Sequence, residues 1–484
     1  MRFPFALTKK IASHIIKHKL RKTPKFAMVL QLEPLHTCNL TCTGCGRIRE
    51  YSTNLKDMVP LEKCLAAAME CDAPMVSICG GEPLIYPKIE ELVAGLREQG
   101  RVIYICTNAM FMRKKMKDYL AAIYSPAVEP KLKKLLDQKL ISDKDAETIR
   151  NSNRRGELRE SQTSKKPVIH PTKWMYWNVH VDGLEFTHDL IVEREGVFKE
   201  CIEAIKMAKI LGYQVATNTT VYKETDVQEI EDMFKFLSSL EVDGHTISPG
   251  YEYDAAKKDM VTRLGKQPED FFLTRKMTRQ KFAKILDWGR AFTIFGTPVY
   301  QEFLAGKREL TCTVWAIPTY NIKGWKAPCY LMTDGHYDGY REMLAKVDWN
   351  KYGVVDGVAR DPRCENCMVH CGYDPSGALG TNYQSGDNWK NIKYNFGAKP
   401  RPFPSSPELA QRAFNGVTIG KGHLAEAKAA INSPAAGARG AFSRKEEEHH
   451  ETHVSTVCGT SDTSQRDDLL AKIREAKKID ARPE

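Results

Sequence analysis

No run of 18 or more apolar residues occurs in this 484-residue chain, so no segment reads as a bilayer-spanning helix. Cysteine is sparse. Its 14 residues fall far below the roughly 8–10% density of a disulfide scaffold. The N-terminus lacks the long apolar core and small-residue cleavage site of a secretory signal. Few cysteines, clustered and without a signal, argue for reduced thiols in a cytoplasmic protein that bind metal. Acidic residues are missing from positions 1–25, which carry Arg2, Lys9, Lys10, Lys17, Lys19, Arg21, Lys22 and Lys25. Leu7, Ile11, Ala12, Ile15, Ile16 and Leu20 recur among them at helical spacing, behind Phe3 and Phe5. Such a basic amphipathic helix suits either peripheral contact with the inner face of a membrane or a cap whose apolar side joins the core. The net charge of +11 by itself admits nucleic acid or anionic lipid. Its concentration in this helix points to lipid, and no nucleic-acid partner is expected.

What is present is an alternation of strands and helices. At 42% hydrophobic the chain can bury a sizeable core. Its length suggests two or three units at about 150 residues each. Strands are expected at Met28–Glu33, Met75–Cys79, Arg101–Thr107, Trp174–Val181, Tyr213–Val221 and Val242–Ser248. Helices are expected at Leu61–Cys71, Ile89–Glu98, Val197–Leu211 and Val227–Leu240. Six strands separated by helices predict an α/β fold with a parallel sheet, a partial (βα)6 TIM-like barrel over residues 26–250. Residues 109–173 exceed what one crossover needs and read as an insertion over one face of the barrel. Within it, Lys131–Lys139 and Asp143–Arg150 look helical, and Asn151–Lys166 is polar and mobile in character. The pattern turns irregular after Gly250. Residues 251–400 read as a cysteine-containing C-terminal domain. Residues 401–484 read as a low-complexity, disordered tail with one helix at Asp467–Ala476 and a lone Cys458.

Chemistry concentrates in Cys38-Asn39-Leu40-Thr41-Cys42-Thr43-Gly44-Cys45, spaced C-x3-C-x2-C. On a helix the outer pair would lie roughly 10 Å apart along the axis, so a loop must gather the three thiols. Thiolates select zinc, copper or iron–sulfur clusters. A [4Fe-4S] cluster normally takes four cysteines, and three local ones leave an iron open to substrate. A Cys3His zinc site with His36, or three plain loop thiols, remain alternatives. The loop follows the first strand, on the side where α/β barrels place their chemistry. Gly80-Gly81-Glu82-Pro83 follows the second strand. There paired glycines allow close backbone approach and Glu82 could receive an ammonium group. Asn108 and His180 stand at later strand ends and Asn218 lies in the fifth strand, and each could offer polar contacts to a nucleoside or carboxylate. Strand alternation puts Val102, Tyr104 and Cys106 on one face. Cys312, Cys329 and the run Cys364–Cys371, which holds Cys364, Cys367 and Cys371, form a second group able to take a cluster or zinc, or to stay as buried thiols.

Together the cysteine loop, Gly80–Pro83 and the six-strand order resemble the radical S-adenosylmethionine superfamily. Glu33-Pro34-Leu35, Cys106-Thr107-Asn108-Ala109, Val179–Leu184, Arg194–Phe198, Ser248–Tyr251, Pro328–Leu331 and Cys367–Tyr373 resemble its adenosyl-hopene transferases of hopanoid biosynthesis. The resemblance spans about residues 25–375. It implies a [4Fe-4S] cluster on Cys38, Cys42 and Cys45. It implies S-adenosylmethionine as co-substrate, near Gly80, Gly81, Glu82, Asn108, His180 and Asn218. It also implies a reductant such as flavodoxin or ferredoxin, and addition of the 5′-deoxyadenosyl radical to the alkene of diploptene. Cys106 is then the expected hydrogen donor to the product radical. A radical enzyme with another substrate, such as a peptide, is the alternative.

Overall fold

The computed structural model describes residues 2–152, 167–355 and 357–415. Most of the polar segment 151–166, the helix expected at Asp467–Ala476 and Cys458 lie outside the described residues. One nine-stranded sheet runs in the order β6-β5-β4-β3-β2-β1-β7-β8-β9. Its parallel half is β1 (Val29–Leu32), β2 (Met75–Ile78), β3 (Val102–Thr107), β4 (Met175–His180), β5 (Gln214–Val221) and β6 (Gly244–Pro249). The helices between them are α2 (Leu61–Cys71), α3 (Ile89–Glu98), α7 (Val197–Leu211) and α8 (Val227–Ser239). The fold is α/β with the strand-and-helix order of a partial TIM-like barrel.

Local chemistry sets these elements. Gly196 and Gly212 bracket α7 with left-handed φ of 85° and 91°, which a glycine adopts at no cost. In β3, Ile103 and Ile105 point to the helix-side core, while Tyr104 and Cys106 alternate to the inner face. Two results differ from the sequence reading. Residues 109–173 contain the ordinary crossover helix, α4 (Met112–Ile123), which buries Met112, Met116, Tyr119 and Leu120. The added pieces are α5 (Glu129–Asp137) and α6 (Asp143–Arg150), which lie against the outer helices α7 and α4. Arg113 of α4 pairs with Glu200 and Glu203 of α7. The stretch after Gly250 is not wholly irregular. It supplies β7 (Thr319–Asn321), β8 (Gly324–Pro328) and β9 (Thr333–Tyr337), and β7 pairs in parallel with β1. The C-terminal cysteines thereby come to the edge of the first strand.

The basic N-terminal segment forms α1 (Phe5–Leu20). Leu7 is buried, and Ile11 and Ile15 pack on Phe26, Met28 and Ala316. Arg2 donates to the carbonyls of Gly289 and Phe292 at 2.6 and 2.9 Å. One face is therefore a cap on the core, while Phe5, Ile16 and Leu20 are exposed. No helix among the described residues is long and apolar enough to cross a membrane. The beginning of the supposed tail is ordered. There α10 (Pro407–Asn415) buries Ala413 and sets Phe414 against Phe198 and Phe236 at 5.4 and 6.0 Å. Arg412 pairs with Asp232 of α8.

Candidate active site at the strand ends

The cysteine loop leaves β1 and is held by short polar ties. Thr43 N–H donates to Ile191 O at 2.8 Å, and Cys45 N–H to Cys42 O at 3.1 Å. Thr41 and Thr43 hydroxyls donate to Glu193 at 3.1 and 3.3 Å, and Arg263 grips the same carboxylate at 2.9 Å. Gly44, at φ 77°, could not be replaced without collision, because a Cβ there would stand 2.5 Å from the Phe271 ring. Cys38 Sγ accepts Leu40 N–H at 3.5 Å and lies 3.8 Å from the amide nitrogen of Asn108.

Burial pushes the Cys38 thiol up to about 12, with Glu82 adding to the shift. Cys42 is also pushed up, first by burial and then by the acids Cys45, Cys38, Glu193 and Asp182 around it. Thiols so placed ionise when a metal supplies the missing positive charge. A single tetrahedral zinc at about 2.3 Å from each sulfur would hold them about 3.8 Å apart. Among the described residues, the one group of three or more His, Cys, Asp and Glu residues with ligand atoms within 4.8 Å of one another is His14, His18 and Asp72. His36 is not with the thiols: it faces Glu33 at 3.4 Å and the Tyr51 ring at 4.6 Å. The loop geometry therefore disfavours the Cys3His zinc alternative and fits a cluster whose thiolates sit on separate irons.

The glycines after β2 have a packing task. A Cβ on Gly80 would fall 2.3 Å from Leu35 O, and one on Gly81 would fall 2.1 Å from Thr37 O. Gly81 and Glu82 N–H groups donate to those same carbonyls at 3.0 and 2.9 Å. The pair lets the β2 turn lie directly on the cysteine loop. Glu82 is buried and accepts from Thr107 Oγ1 at 2.8 Å, Asn108 N at 2.9 Å and Leu84 N at 3.0 Å. Burial raises its carboxyl to about 7 despite these donors. Its carboxylate already braces β3, with acceptor capacity left on Oε2. Asn108 braces in turn, reaching Asn39 Oδ1 at 2.9 Å.

His180, at the end of β4, and Asn218, within β5, stand in register and are half-buried. Burial lowers the His180 pKa, but the charge and 2.7 Å hydrogen bond of Asp182 outweigh it and leave the ring above its ordinary value. Cys106 faces inward, paired in register with Asn178. Its sulfur contacts Ser77 Oγ at 3.2 Å and accepts from Asn178 Nδ2 at 3.4 Å. Burial raises this thiol and keeps it protonated. The stacked rings of Tyr104 and Tyr176, 5.0 Å apart, continue the same inner face.

Sequence reasoning passed over a buried ionic group beneath the loop. Arg47, two residues past Cys45, lies between the Tyr253 and Tyr330 rings at 5.0 and 4.3 Å. It pairs with Glu33 at 3.5 Å and Glu50 at 2.9 Å, and buried Lys326 pairs with Glu50 at 2.6 Å. Burial opposes ionisation of Glu33, but Arg47 and then His36 hold its carboxyl down at about 2. Arg47→Met should cost about 3–5 kcal/mol, since breaking a buried pair strands its partner charge. The Glu33 contribution is present above the ordinary carboxyl value of 4.5 and is lost as pH falls through about 2. Denaturant unfolding of both proteins should therefore show the gap between them shrinking as pH is lowered from 7 toward 2. A gap that does not change with pH would disprove the charge account.

Residues 32–137 match the family model described as the radical SAM superfamily, and residues 245–391 match one described as a domain of unknown function (DUF3463). The match over residues 32–137 is to a superfamily whose cofactor pair is a [4Fe-4S] cluster and S-adenosylmethionine. No curated protein matches it. Among solved structures, SuiB of Streptococcus suis bound to the precursor peptide SuiA is similar at 17% identity and a TM-score of 0.34, over 57% of this chain and 49% of that one. The chain thus spans about half the length of SuiB. A structure of anSMEcpe with bound AdoMet and Cp18Cys peptide is similar at 15% identity and a TM-score of 0.39, over 80% of this chain and 98% of that one. TYW1 with a lysine-pyruvate adduct is similar at 13% identity and a TM-score of 0.30, over 59% and 90%.

Proposed function

We propose that this protein is a transferase that joins the 5′-deoxyadenosyl group of S-adenosylmethionine to the terminal alkene of diploptene, giving adenosylhopane. The observation that carries the reading is Cys106. It is a protonated thiol on the inner face of β3, outside the helix-side apolar core and fixed by Ser77 and Asn178. Cys38, Cys42 and Cys45 would hold the cluster, and bound S-adenosylmethionine, given one electron from the reductant, would supply the 5′-deoxyadenosyl radical there with methionine as the leaving group. His180, hydrogen-bonded to Asp182, and Asn218 are suited to the polar groups of the nucleoside or carboxylate. Tyr104 and Tyr176 give an apolar wall for a triterpene.

Addition to the alkene leaves a tertiary carbon radical. Cys106 Sγ–H is a weaker bond than the C–H to be made, so the hydrogen atom passes downhill to carbon. One electron and one proton, from a reductant such as flavodoxin or ferredoxin, return the Cys106 thiyl to the thiol. The exposed Phe5, Ile16 and Leu20, with Lys9, Lys17 and Lys19, give α1 an outer face suited to the membrane in which such a lipid resides. Anaerobically reconstituted protein, given S-adenosylmethionine, reductant and diploptene, should yield an adenosine-bearing triterpene by mass spectrometry. Release of 5′-deoxyadenosine with no lipid adduct would reject diploptene and favour another substrate, such as a peptide.

A further inference from the structure

Five cysteines that the proposed reaction leaves unused meet beside Arg47. Cys312 precedes β7, Cys329 directly follows β8, Cys364 ends the short turn Pro362–Cys364, Cys367 lies in the next loop, and Cys371 opens the helix α9 (His370–Leu379). Contacts at two glycines bring them together. Gly353 N–H donates to Cys364 Sγ at 3.2 Å, and a Cβ on Gly353 would stand 3.1 Å from Cys312 Cβ. A Cβ on Gly372, the neighbour of Cys371, would stand 2.5 Å from Cys312 Sγ. Cys329 and Cys364 pack around Met332 and Val354, and Cys367 and Cys371 pack around Tyr251 and Ile317. All five are free of disulfides.

The sulfurs are also supplied with backbone donors. Leu331 and Met332 N–H groups serve Cys329, and Val369 N–H serves Cys367, as Leu40 serves Cys38 in the first loop. Hydrogen bonds of this kind favour a thiolate over a thiol. Arg47 bears on Cys329 and Cys371, and Arg275 on Cys367, so cations face the group. Cys367, Cys329, Cys371 and Cys364 all lie near enough to Cys312 to act on it through charge. No three of the five sulfurs lie within 4.8 Å of one another. One tetrahedral zinc would require about 3.8 Å. We infer that Cys312, Cys329, Cys364, Cys367 and Cys371 form the pocket of a second iron–sulfur cluster, a [4Fe-4S] that takes four thiolates from these five. With all irons bound to thiolate it has no open iron for S-adenosylmethionine.

Iron and sulfide analysis separates the two sites. The triple variant Cys38→Ala/Cys42→Ala/Cys45→Ala, reconstituted anaerobically, should stay brown and keep about four irons per chain, as one cubane requires. Adding Cys329→Ala, Cys364→Ala and Cys367→Ala, which leaves only two of the five thiols, should remove that iron. Native mass spectrometry of the unaltered chain should find two [4Fe-4S] masses, and this reading stands even where the six-fold variant does not fold. A colourless triple variant, zinc in place of iron, or a single cluster on the unaltered chain would overturn the inference.

Discussion

Replacing Cys38, Cys42 or Cys45 by alanine should end the formation of 5′-deoxyadenosine in an anaerobic assay with S-adenosylmethionine and a strong reductant. Each thiol comes from one short loop, and the β2 turn locks that loop through Gly80 and Gly81. Apart from the loop's own cysteines, the groups that act on Cys42 are the acids Glu193 and Asp182, and Cys38 meets the amide of Asn108, none of which is a soft ligand. Thiolate ligands cannot be replaced by water without exposing an iron, so the loss expected is to below detection rather than by a modest factor. Chromatography of the quenched reaction checks it. Continued 5′-deoxyadenosine in the triple variant would break the assignment of the loop.

The second large effect is expected at Cys106. Cys106→Ala should still cleave S-adenosylmethionine and still attach the adenosyl group. Its saturated product should fall at least about tenfold, an effect of about 1.4 kcal/mol on that step. Unsaturated or oxidised adducts should take its place. The neighbouring Cys79 is buried, and burial with the charge of Glu33 keeps its thiol far above the ordinary range. It lies one residue before the Gly80 turn that packs on Leu35, whereas Cys106 lies on the inner face between Ser77 and Asn178. Mass spectrometry of the lipid extract separates the outcomes. Undiminished saturated product from Cys106→Ala would move the hydrogen donor to Cys79 or to an outside reductant.

Much of this was legible in the residues because local signals agreed. The helices at Leu61–Cys71, Ile89–Glu98, Asp143–Arg150 and Val197–Leu211 fall where periodicity and end signals place them. Ser142 and Asp145 form a capping box that starts the third of these, and Gly196 and Gly212 frame the fourth. The helix at Met112–Ile123 was hidden inside an overlong connection, although Met112, Met116, Tyr119 and Leu120 carry its period. Strands β7–β9 escaped because they run three to five residues, and in β8 Trp325, Lys326, Ala327 and Pro328 are all buried, which erases alternation. The roles of Gly80 and Glu82 could not be read from sequence. What each touches, Leu35 O or the amide of Asn108, depends on a neighbouring strand. Arg47 left only a weak trace, one basic residue just beyond a cysteine loop.

The most direct test of the central reading uses S-adenosylmethionine carrying two deuteriums at the 5′ carbon, incubated with the protein, reductant and diploptene. Addition to the alkene predicts an adenosyl triterpene that retains both deuteriums on the new carbon–carbon bond. Deuterated 5′-deoxyadenosine that has gained a hydrogen from the triterpene, with no adduct, would show abstraction instead of addition and contradict the account.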